Sequence, residues 1–172
     1  TYLSNANGLE NGFIKFFNLF VLAFRLAKII RLKNIRLVQS HMYRSNFVNI
    51  LAKYLGGNHK TQLVNHGMIS HNRGRGLLGA INLGLLKLLY RHANQCVLVS
   101  KAMQKDLSIY IPNTNSLVIN NPFDLNKIEE LSNIKFFETE FIFSKHKKYL
   151  ICSGRLIKIK NFDVVIKSLN FL

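Results

Sequence analysis

The stretch "QCVLVSKAMQKDLSIY", residues 95–110, passes from a short apolar run into a helical pattern through a single serine. A continuous apolar run of this length reads as a strand buried on both faces, the kind found in parallel sheets. Ser100 then stands as the helix N-cap, its side-chain oxygen available to the orphan amides of the first turn. Strand followed directly by helix is half of a βαβ unit.

The same alternation recurs on both sides. Before it come the strand "IRLVQS" (35–40), a helix "SNFVNILAKYLGG" (45–57) closed by a Gly pair, the strand "TQLVNHG" (61–67) and a helix from about Leu77 to Arg91. After it come "SLVIN" (116–120), the turn "NPFD", a helix from Leu125 to about Leu131, the strand "KYLICS" (148–153) and a helix from about Asn161. This order predicts an α/β protein with a Rossmann-like, doubly wound parallel sheet. Ligands of such sheets sit at the carboxyl ends of the strands. Ser40 and His41, Asn65 and His66, Ser100, Asn120 and Asn121, and Ser153 to Arg155 fall there.

The segment "FIKFFNLFVLAFRLAKIIRL" (13–32) has the length of a membrane span, but Lys15, Asn18, Arg25 and Lys28 recur along one side. Charges at the centre of a span are costly, so it is expected to form a mostly buried amphipathic helix on the sheet. A place in a membrane interface is the alternative. The segment "SNIKFFETEFIFSKHKK" (132–148) lacks clean periodicity and is expected to connect two domains.

Composition narrows the function classes. At 172 residues and 48% hydrophobic, the chain can bury a sizeable core. Cys96 and Cys152 each sit in an apolar run without the close pairing that metal or redox motifs need, so both are expected to be buried and inert. Neither this usage nor the opening residues point to an oxidising or secretory context, and a cytoplasmic location is expected. The net charge of +16 is one-sided: from residue 11 to residue 105 there are fifteen Lys and Arg and no Asp or Glu. Such asymmetry implies an anionic partner, whether nucleic acid, acidic membrane or phosphorylated ligand; a basic AT-rich-genome composition is the bland reading. No zinc-finger spacing, basic zipper or aromatic RNA-binding strand motif is present.

In "SGRLIKIKNF" (153–162), Gly154 permits a tight turn at a strand end, Arg155 offers a planar fork of donors, and Lys160 adds a point charge. These suit phosphate oxygens, although a turn with two solvated cations would read the same alone.

Taken in order, "VQSH", "LVNHG", "CVLVSKAMQKDL", "LVINNPFD" and "LICSGRLIKIKNFDVVIKSL" resemble the large retaining glycosyltransferase family with the GT-B fold, of the group 1 or family 4 type. The resemblance spans about residues 35–172. It implies two Rossmann-like domains across a cleft: residues 1–123 as most of the acceptor-side domain, 124–147 as the connection, and 148–172 as the first strand and helix of the nucleotide-sugar-binding domain. Arg155 and Lys160 would neutralise the donor diphosphate as it leaves, with Gly154 allowing close approach; no metal and no cofactor are implied. His66 matches the cleft-facing catalytic histidine, although a turn-capping role stays open. His41 matches a family position on the acceptor side, with a structural role equally open. His71, Arg73 and Arg75, in the Gly-rich loop "GMISHNRGRGLLGA" (67–80), would meet an acceptor phosphate or an anionic membrane headgroup, or form a solvated basic loop.

The family's first strand would precede Thr1 and its paired glutamates would follow Leu172, so the chain is expected to be a middle fragment, inactive alone. The expected function is transfer of a sugar from a nucleotide diphosphate sugar to a glycan or polyprenyl-diphosphate-linked acceptor, in bacterial surface polysaccharide synthesis. The expected location is the cytoplasm, or the inner face of the cell membrane as a peripheral protein. Nucleic acid is not the expected partner. A basic nucleic-acid-binding protein and a noncatalytic Rossmann-like binding module are the rival readings.

Overall fold

The run that begins at Gln95 forms β3 (Gln95–Leu98), and Ser100 caps α4 (Lys101–Tyr110), its hydroxyl accepting from the Met103 amide at 3.3 Å. The other elements are α1 (Gly12–Leu32), β1 (Leu37–His41), α2 (Tyr43–Ala52), β2 (Lys60–Asn65), α3 (Gly76–Leu89), β4 (Ser116–Val118), α5 (Leu125–Ser132) and α6 (Phe162–Ser168). The structure is a computed structural model that describes residues 12–134, 144 and 146–171. The chain divides into two compact units, Thr1–Phe123 and Asp124–Leu172.

In the first unit the four strands pair in parallel in the order β1-β2-β3-β4, with His41 opposite Val64, Asn65 opposite Leu98, and Leu98 opposite Val118. The parallel α/β sheet predicted from the alternation is therefore present. Sequential order with right-handed crossovers stacks α2, α3 and α4 on one face. On that face Leu63, Cys96 and Leu98 pack in one buried cluster with Ile50 of α2, Leu86 of α3 and Leu107 of α4. On the other face Gln39, Gln62 and Gln95 stand in register, flanked by the exposed Leu37 and Leu117.

Helix α1 buries Leu19, Ala23, Ala27 and Ile30. Its principal partner is α2 with the π-helical turn Lys53–Gly57 that follows, not the sheet. Phe16, Phe17, Phe20 and Phe24 stay exposed, so the helix is half buried where mostly buried was expected. Two small residues, Ala23 and Ala27, let it lie close to its neighbour, and a helix packed on one helix leaves its far side open.

The second unit departs further from expectation. Residues 148–153 pair with no strand, because no strand occurs among the described residues of Asp124–Leu172 to supply the ladder. Leu150 and Ile151 are exposed, and Cys152, expected to be buried, is exposed with them. None of the described residues of this unit is buried. The expected connection at 132–148 lies mostly outside the described residues.

Candidate active site

Parallel pairing brings the carboxyl ends of β1 and β2 side by side, and with them two imidazoles. His41 Nδ1 lies 3.0 Å from His66 Nε2, and the rings are nearly parallel, 17° apart with centroids at 5.3 Å. The Gln39 amide nitrogen lies 3.1 Å from His41 Nε2. A neutral imidazole has one donor and one acceptor nitrogen. The amide donates to His41 Nε2, so His41 Nδ1 carries the proton and donates to His66 Nε2. His66 is left with Nδ1–H as a donor, and both rings are exposed.

What holds this pair is buried beneath it. Asn65, next to His66, is 1% exposed, and its Oδ1 accepts from the Tyr90 hydroxyl at 2.8 Å and from Asn46 at 3.2 Å. Asn46 also donates to Tyr90 and accepts from the Ser40 hydroxyl at 2.8 Å, beside His41. Asn49 donates to Ser40 and to the Val38 carbonyl, and accepts from His59 Nε2 at 2.8 Å. Burial pushes the Tyr90 phenol far above its ordinary range, so it stays protonated and serves both neighbours. Buried polar groups are costly unless partnered, so this chain fixes how β1, α2, β2 and α3 meet. The Asn65 side-chain amide nitrogen and His59 Nδ1 are left without partners.

A single residue joins β1 to α2, and Met42 takes it at φ 70°, ψ 153°. A bulky residue at positive φ is strained. Its amide donates to the Val64 carbonyl at 3.2 Å and its carbonyl accepts from Asn46, which hold the turn in place. Beside it a groove of about 650 Å³ runs from Leu22 and Leu26 past Val48 to Ser40, His41 and Arg44.

The loop after β2 is pinned at both ends. The Tyr43 hydroxyl lies 2.9 Å from the Met68 carbonyl and 3.2 Å from that of Gly67. Burial and the nearby Asp106 charge raise its pKa. The Asp106 carboxylate accepts from the Ile69 and Ser70 amides at 2.6 and 3.1 Å, capping the turn Ile69–Asn72 that carries His71. Arg73 stacks over Tyr110, with its guanidinium 5.4 Å from the ring centroid. His71, Arg73 and Arg75 are all exposed. The loop does not bring them into hydrogen-bond contact with the His41–His66 pair.

In the second unit Gly154 has φ +149°, a backbone that side chains adopt only with strain. A Cβ there would touch the Lys160 stem at 3.6 Å and the Phe162 ring at 3.5 Å. Ile157 donates to the Arg155 carbonyl and Lys160 to the Ile157 carbonyl, at 2.8 and 2.9 Å. The turn thus brings Lys160 back over Gly154, with Arg155 and Lys160 both exposed.

The family model for Glycosyltransferase Family 4 matches residues 10–127, more than half of the chain. The chain belongs to Glycosyltransferase Family 4. That match takes in His41, His66, Arg73 and Arg75 and ends before Gly154. No curated protein matches the chain. As a member of the family, the protein has a sugar donor and an acceptor as its general partners.

Gln39, Asn46, Tyr90 and Asp106 were not legible as parts of this site. Asn46 and Asn49 did carry a signal, as two asparagines one turn apart among apolar residues of a helix. Asp106 carried another, as the acid that ends the acid-free stretch.

Proposed function

We propose that this glycosyltransferase transfers a sugar, with retention and without a metal, from a nucleotide diphosphate sugar to a glycan or polyprenyl-diphosphate-linked acceptor. The process would be bacterial surface polysaccharide synthesis at the inner face of the cell membrane. The first unit is the acceptor side, residues 124–147 are the connection, and residues 148–172 belong to the donor side. The observation that carries this reading is the His41–His66 pair at the strand ends of a Glycosyltransferase Family 4 chain. His66 offers its Nδ1–H to a hydroxyl of the transferred sugar or of the acceptor, and His41 fixes the tautomer that leaves this donor outward. Arg155 and Lys160 meet the donor diphosphate and stabilise the charge that develops as it leaves.

Equilibrium binding of a panel of nucleoside diphosphate sugars tests the donor role, and transfer to a lipid-linked acceptor tests the rest. Arg155→Ala and Lys160→Ala should each weaken donor binding about tenfold or more, as expected for a charge-assisted hydrogen bond. His66→Ala should lower turnover while leaving donor binding near the unmodified level. Unchanged binding in both cation variants would remove the diphosphate role. Tight, salt-sensitive RNA or DNA binding without sugar-nucleotide binding would instead favour a nucleic-acid protein.

A further inference from the structure

Helix α3 exposes a row of large apolar side chains. Leu77, Ile81 and Leu88 follow one another at spacings of four and seven residues, with Gly84 between, and so share one side of the helix. They are 77, 45 and 52% exposed, and the neighbouring Leu78 is 67% exposed. Gly79, Leu86 and Leu89 on the far side are buried. Single exposed leucines are ordinary on a protein surface; a contiguous row rimmed by one sign of charge marks an interaction site.

The rim is cationic. Lys87 and Arg91 flank the row, and Arg73 and Arg75 stand in the loop that enters the helix, all four exposed. That loop is set against α3: a Cβ at Gly79 would collide with the Asn72 carbonyl and approach the Arg75 Cβ. The nearest acid in sequence, Asp106, is occupied with the Ile69 and Ser70 amides.

We infer that α3 lies in the interface of an anionic bilayer, with Leu77, Leu78, Ile81 and Leu88 entering the acyl boundary. Arg73, Arg75, Lys87 and Arg91 would contact lipid phosphates. Charge complementarity selects this occupant. A second copy would bring the same cations and be repelled, while a nucleic acid backbone has no use for the leucine centre of the face. Among the described residues no helix is long and apolar enough to cross a membrane. The loop leaves β2 directly after His66, so docking keeps the candidate site near the headgroups. That consequence rests on the function proposed above; the docking itself does not.

Co-sedimentation with vesicles of phosphatidylglycerol or of phosphatidylcholine tests the docking without any sugar. The chain should bind the anionic vesicles, release in high salt, and leave the neutral ones in suspension. Leu77→Ser/Ile81→Ser/Leu88→Ser should weaken binding about tenfold or more, and Arg73→Ala/Arg75→Ala roughly 30-fold. Because the chain has no tryptophan, Ile81→Trp gives a single reporter whose emission should shift to the blue on anionic vesicles and be quenched by brominated lipid. Equal binding to neutral vesicles, unchanged binding by the triple serine variant, or an Ile81→Trp signal that stays solvent-like would each overturn the inference. So would self-association in the absence of lipid that the triple variant abolishes, or a preference for duplex DNA over vesicles. Donor binding measured on the same variants should be unchanged, so loss of docking and loss of the enzymatic reading are told apart.

Discussion

His66 and Arg155 each follow an apolar run that the sequence marks as a strand, yet only His66 has a ladder beneath it. β2 is paired on both sides, and the residue before His66 is tied into a buried chain of Asn46 and Tyr90. Residues 148–153 join no strand ladder, and the turn at Gly154 is shaped by its own backbone bonds and by a glycine in a conformation that side chains adopt only with strain. An apolar run becomes a strand only where others complete its hydrogen bonds, and a residue at a strand end takes its rigidity from that sheet.

The sharpest way to break this contrast is thiol labelling. Cys96 is fully buried in β3 and desolvation pushes its thiol up to about 12, whereas Cys152 is exposed. Cys152 should react at once, and Cys96 at least a thousandfold more slowly, through opening of the unit. Comparable rates would show that the first unit has no more protection than the second.

Next in size is the buried network. Asn46→Ala strips partners from Ser40, Tyr90 and Asn65 and should cost about 3 kcal/mol in denaturant unfolding, with Tyr90→Phe costing about 1–2 kcal/mol. Arg155→Ala, at an exposed turn, should stay within about 0.5 kcal/mol. If all three variants unfold alike, the network does not hold the site.

The smallest effect concerns acid. Desolvation holds His59 below its ordinary 6.5, so around that pH the folded chain binds fewer protons than the unfolded one. Its contribution is complete above about pH 6.5 and is lost as pH falls toward the folded value. Thermal melts at neutral and mildly acidic pH should show this fall in the unmodified protein, and a shallower one in His59→Gln. Identical pH profiles would remove His59 from the account.

Much of the first unit was legible because parallel strands and their helices write themselves as apolar runs and caps. "QCVLVS" and Ser100 gave β3 and the cap of α4 within two residues. His41 and His66 were legible as strand-end residues, but their contact was not, since twenty-five residues separate them in the chain. Asp106 showed in the sequence only as the end of the acid-free stretch, and the fold makes it the cap of a basic loop. The run at 148–153 misled because its pattern is that of a strand, while strand formation depends on a partner that the pattern does not contain.

The sequence by itself determined the alternation of elements, the one-sided charge and the residue types at the strand ends, all of which depend on local spacing. Only the tertiary structure decided that Gln39, His41 and His66 form one relay and that Leu77, Ile81 and Leu88 go uncovered. It likewise decided that Cys152 is open where Cys96 is closed. Those outcomes depend on which segments become neighbours, and neighbours are chosen by the packing of the whole sheet.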